Sequence, residues 1–164
     1  MKLTAVLLFS LAAAVAQNSA PMKGSTAAAM SKDVMLTPDG MQWMPAPAAT
    51  GMPSAVQVSV LSGDPSKAGP FVLRLKIPAG GKVAAHWHPT DENVTVLQGT
   101  FAAGMGDKFS EADLHDFPAG SYVLMPRTMH HFAMAKEGEV IVQVHAQGPF
   151  VLNYVDPADD PRKK

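Results

Sequence analysis

The chain has 164 residues, a formal net charge of −1 at pH 7 and no cysteine. Absence of thiols excludes disulfides, thiolate metal sites and cysteine nucleophiles. Lys and Arg form no block beyond Arg162-Lys163-Lys164, so the chain lacks the basic footprint that nucleic acid requires.

Residues 1–16 carry one basic residue, Lys2, and then a short apolar run that closes on Ala14-Val15-Ala16. The small-x-small ending predicts a secretory signal peptide cleaved after Ala16, and hence an exported, periplasmic or secreted product. The run is shorter than the ~20 apolar residues a membrane helix needs. No later segment reaches that length, so stable membrane insertion is not expected. Residues 17–54 are an N-terminal arm rich in Ala, Ser, Met, Pro and Gly, expected to be partly disordered. Within it Ala27-Ala28-Ala29-Met30 suggests a helical turn, and Val34 and Leu36 suggest a short edge strand. Six methionines between Met22 and Met52 are irregularly spaced, which favours apolar packing over a soft-metal site.

From residue 55 the pattern changes to period two. Val56, Val58 and Val60 alternate with Gln57 and Ser59, and the turn Ser62-Gly63-Asp64-Pro65 follows. Phe71, Leu73, Leu75 and Ile77 then share one strand face, opposite Val72, Arg74 and Lys76. Further strands are predicted around residues 83–88, 94–96, 101–103, 122–125, 131–134, 140–145 and 150–154, punctuated by Gly and Pro. A helical turn fits Ser110-Glu111-Ala112-Asp113, and residues 157–164 form a C-terminal tail expected as a surface extension. Short strands at this cadence predict one all-β domain over 55–156, an antiparallel barrel or sandwich.

The chemistry concentrates at His86-Trp87-His88. Two histidines one residue apart share a face on a strand. Glu92 follows past Pro89, with Asp91 as a competing carboxylate, and the pair His130 and His131 offers a remote imidazole. Imidazole and carboxylate donors together suit one divalent transition metal. His115 lies in a polar stretch and reads as solvent-facing. His145 ends the 140–145 strand, where it is either a proton donor beside the pocket or a rim residue. The surrounding Val, Leu, Phe, Met and Ala favour a small, partly apolar organic ligand over a sugar polymer.

These residues resemble the cupin family. Gly80, His86, His88, Glu92 and Gly99 fill every fixed position of its first motif. Gly120, Pro126 and His131 fit the second, in which Thr128 replaces a Gly and Ala135 an Asn. The missing Gly implies a turn that does not need positive φ. The segments Leu61-Ser62-Gly63-Asp64-Pro65, Gly148-Pro149-Phe150 and Asn153-Tyr154-Val155-Asp156-Pro157 are similar to the conserved-barrel cupins related to ChrR-type anti-sigma factors. The resemblance implies a cupin-type antiparallel β-barrel, or double-stranded β-helix. It also implies one divalent ion (Fe, Mn, Ni, Co or Zn) on His86, His88, Glu92 and His131. It implies a metal-dependent enzyme acting on a small organic oxygen compound, foremost a dioxygenase, with a non-catalytic ligand- or metal-binding cupin as the rival. A homodimer fits the pattern, because a small antiparallel barrel exposes edges that a second copy can cover, with an isolated monomer as the alternative.

Overall fold

The computed structural model describes residues 33–164. The predicted signal peptide, its cleavage site and the Ala-rich turn lie outside the described residues. Eleven strands run in chain order: β1 Met44–Pro45, β2 Gln57–Ser62, β3 Gly69–Ile77, β4 Lys82–Trp87, β5 Glu92–Gln98, β6 Thr100–Met105, β7 His115–Pro118, β8 Tyr122–Met125, β9 His131–Ala135, β10 Val140–Gly148 and β11 Asn153–Tyr154. They form two antiparallel sheets, ordered β1-β2-β3-β10-β5-β8 and β11-β4-β9-β6-β7. The helical elements among the described residues are single 3-10 turns. None is long and apolar enough to cross a membrane.

The all-β expectation holds, in the two-sheet form of a double-stranded β-helix; neither sheet closes on itself into a continuous barrel. Alternation explains the core. Phe71, Leu73, Leu75 and Ile77 of β3 are buried, as are Val140, Val142, Val144 and Ala146 of β10, and the two strands pair without a break from Val140↔Ile77 to Gly148↔Gly69. Val94 and Val96 of β5 join them, and Val83, Phe101, Ala103 and Ala133 face them from the other sheet. Gly99 turns β5 into β6 at φ +73, with the Glu139 carbonyl on the side where a β-carbon would project.

Several local expectations change. Val34 and Leu36 form no strand and are exposed; among the described residues no strand pairs with them. The strand expected over 150–154 shrinks to β11; Phe150 and Leu152 are buried in the irregular segment that precedes it. Strand β7 carries His115 and Asp116 on a sheet edge, too polar to show a period. The 3-10 turn at Glu111–Asp113 falls where a helical turn was expected. The tail is docked, not extended: Asp160 is buried and accepts from Arg162 Nε at 2.8 Å, and Arg162 Nη2 donates to the Leu152 carbonyl at 2.9 Å. Finally, Thr128 does take a positive φ, +62, so the turn needs the left-handed conformation even without its glycine.

Candidate metal centre

The inward aim of His86 and His88 depends on an irregularity. Along β4 the buried positions run Val83, Ala85, His86 and then His88, so the alternation changes phase after Ala85. The pairing with β9 shows why. Val83 faces Ala133 and His86 faces His131, so β4 spends one residue more than β9 over the same interval. This is a β-bulge, which re-aims the side chains that follow it. It also places His86 directly opposite His131 across the ladder.

Glu92 arrives from the other sheet. It opens β5 and shares the inner face with Val94 and Val96, so strand alternation alone carries its carboxylate inward. The residues Pro89-Thr90-Asp91 cross between sheets. Asp91 points outward, where it accepts from the Arg127 backbone N–H at 2.8 Å.

His86, His88 and His131 are each buried, and they offer donor atoms within 4.8 Å of one another. Their tautomers follow from their partners. Nδ1 of His86 lies 2.7 Å from the Ala84 carbonyl, Nδ1 of His88 lies 2.8 Å from the Val151 carbonyl and Nδ1 of His131 lies 2.9 Å from the Met129 carbonyl. A carbonyl only accepts, so each Nδ1 carries the proton and each Nε2 keeps its lone pair for the centre. Glu92 Oε2 stands 3.5 Å from Nε2 of both His88 and His131. Nε2 of His131 has no hydrogen-bond partner among the described residues. Lone pairs thus face an anionic oxygen across a gap too long for a hydrogen bond.

Burial pushes His86 well below the ordinary imidazole value of 6.5 and pushes His88 below it too; the neighbouring imidazoles reinforce this, and Glu92 partly opposes it at His88. Burial also resists ionisation of Glu92, but the charge that His88 and His131 would carry outweighs it and holds the carboxyl below its ordinary range. The two tendencies conflict, because neutral imidazoles remove the charge that lowers Glu92. A cation at the centre satisfies both. The donor set therefore fits a divalent ion, which the three imidazoles could coordinate with the carboxylate beside them.

The remaining candidates stand apart. His130 turns outward and pairs with Asp107 at 2.7 Å. His115 is exposed on β7. His145 is exposed on the outer face of β10, with its Nε2 2.9 Å from Gln143 Nε2. Sequence reasoning missed Phe150, whose ring stacks on His88 at 4.1 Å and 13°. It also missed the three carbonyls that orient the imidazoles, since backbone acceptors leave no mark in side-chain spacing.

Among solved structures, RemF, a polyketide cyclase from Streptomyces resistomycificus, is 14% identical with a TM-score of 0.63, over 79% of this chain and 89% of that one. An RmlC-like cupin from Ralstonia eutropha JMP134 is 23% identical with a TM-score of 0.56, over 76% and 73%. KdgF from Halomonas sp. is 18% identical with a TM-score of 0.52, over 68% and 93%. These likenesses concern the fold. No curated protein matches the chain. The model of the ChrR cupin-like domain matches residues 31–151, most of the chain, and with the two-sheet cupin architecture this places the protein in the ChrR cupin-like domain family.

Proposed function

We propose that this domain is a metal-binding cupin that holds one divalent transition ion on His86, His88, His131 and Glu92 and presents it to a small organic ligand bearing oxygen. The convergence of three proton-fixed imidazoles and an anionic carboxylate on an unpartnered His131 Nε2 carries this reading. When bound, such an ion supplies Lewis acidity and an open position for an oxygen donor. The chain's own residues do the rest. The carbonyls of Ala84, Met129 and Val151 hold the imidazole planes, and the Phe150 ring props His88.

Binding is preferred over dioxygenase turnover on one observation. Among the described residues, the titratable side chains lining the cavity are the four candidate donors themselves, with no separate acid or base beside them to move a substrate proton. Titrating metal-free protein with Co(II) or Zn(II) tests the reading. One ion per chain is expected, and its loss in His86→Ala and His131→Ala; absence of binding in the unaltered protein refutes it. Oxygen uptake by the iron-loaded protein with candidate phenolic and carbonyl compounds tests the dioxygenase alternative.

Export is part of the proposal and rests on residues 1–16; N-terminal sequencing of the exported protein should begin at Gln17. A homodimer is supported by the exposed side chains of Tyr122 and Leu124 on β8, an edge strand. Light scattering on the purified chain should give twice the monomer mass.

A further inference from the structure

The cavity between the imidazoles holds about 30 Å³, room for one water-sized group. An organic ligand needs more space, and that space adjoins it. A second cavity of about 100 Å³ lies between residues 44–52, strands β2 and β3, and residues 150–152. Met52 and Leu75 line both cavities. Phe150, which walls the second cavity, is the ring that stacks on His88 in the first.

The second cavity offers almost nothing polar. The one hydroxyl among its lining side chains belongs to Thr50, and it is already used: it donates to the Pro47 carbonyl at 2.7 Å and accepts from the Met52 N–H at 3.2 Å. A sugar or a diacid would leave its polar groups unpaired there. An apolar ring or short branched chain would not.

Of the two residues that line both spaces, Met52 is the one able to move. Its thioether is half-buried, unbranched and adaptable, whereas Leu75 is fixed in the unbroken β3–β10 ladder. The backbone around Met52 is pinned. Tyr154 donates its hydroxyl to the Gly51 carbonyl at 2.8 Å, and the Leu152 N–H donates to the Thr50 carbonyl at 3.1 Å. Gly51 sits at φ +77 with the Arg162 guanidinium so close that a β-carbon there would lie 3.0 Å from its Cζ. Motion therefore falls to the Met52 side chain.

We propose that the two cavities are halves of one ligand chamber, that the Met52 side chain is the movable partition, and that the ligand is a ring-sized apolar molecule with a single oxygen donor. This rests on the metal reading of the imidazole half and adds the class of ligand. The apolar half takes the ring, and the oxygen reaches past Met52 toward the four donors. With Met52 turned aside, the joined space approaches the roughly 150 Å³ at which apolar cavities take benzene.

The test uses the full chain labelled with methyl-¹³C methionine. Benzene added to metal-free protein should shift the Met44 and Met52 methyl signals saturably and leave exposed Met35 unmoved. Val60→Phe, which adds a ring at a partly exposed lining position, should weaken benzene binding at least tenfold. In Co(II)-loaded protein, phenol should alter the visible absorption and benzene should not, and Met52→Ala should tighten the phenol response about tenfold. Unmoved Met44 and Met52 signals in the unaltered protein, together with an unmoved Met44 signal in Met52→Ala, would overturn the chamber. Benzene binding with a cobalt spectrum blind to phenol in both proteins would overturn the connection between the halves. Failure of cobalt to bind would remove the metal reading, and the benzene titration on metal-free protein would still decide the chamber.

Discussion

Strands β3 and β10 build one wall of the domain, and β4 and β9 build the wall that faces it. The first pairs over nine consecutive positions without a shift, and every inward side chain from Phe71 to Ile77 is apolar. The second gains a residue between Val83 and His86, and its inward side chains change there from apolar to imidazole. A regular ladder supplies close-packed area and rigidity. A bulged one gives up part of its pairing to aim donors and to free a carbonyl, that of Ala84, which holds one of them. The imidazoles thus come from the bulged wall and the close-packed apolar area from the regular one, whose sheet adds the Glu92 carboxylate through β5.

That division predicts different responses to substitution. The largest effect should come from the regular wall. Phe71 is buried and meets Phe150 edge-on at 5.3 Å, so Phe71→Ala should cost about 3–5 kcal/mol of stability. Urea unfolding of metal-free protein measures it; a loss under about 1 kcal/mol would deny this wall its role. On the bulged wall His131→Ala should weaken metal binding about a hundredfold or more, roughly 2.8 kcal/mol, with Glu92→Gln on β5 intermediate and His115→Ala on β7 silent. Calorimetric titration ranks the four proteins. If His130→Ala were the damaging change instead, the register between β4 and β9 would be wrong.

A subtler expectation concerns pH. His86 and His88 are depressed below 6.5 by burial, so the unfolded chain takes up protons before the folded one. Their effect is absent well above pH 6.5, and stability falls as pH drops through 6.5 toward their lowered values. Metal binding should weaken in the same direction, since protonated imidazole cannot ligate. Melting of metal-free protein from pH 8 to 5 should show this decline, and His86→Ala should flatten it; an equal slope in both proteins would remove His86 as the cause. The smallest effect belongs to the turn after β8. Thr128 is β-branched at φ +62, so Thr128→Gly should gain about 1 kcal/mol by relieving strain, less what glycine loses in entropy. Chemical denaturation resolves a change of that size, and a loss of stability would show that the threonine is not strained.

Period-two alternation made β3 and most of β10 legible, because half-buried strands with an apolar core must repeat every second residue. The same rule explains Glu92, which lies two residues before Val94 and four before Val96. The fixed spacing of the two histidine motifs was enough to name His86, His88, Glu92 and His131 as candidate donors, and the fold gathers the three imidazoles beside that carboxylate. What alternation could not supply was the break in it: nothing local says that β4 holds an extra residue after Val83, because a bulge exists only relative to the partner strand. Nor could it supply Phe150 under His88, Met52 between two cavities, or Arg162 against Gly51, which join positions far apart in the chain. Local sequence determines which face a residue takes on its own strand, since that is set by backbone geometry over two residues. Which faces meet, and whether lone pairs end in a cavity without a partner, is decided only when the two sheets close on one another and exclude water.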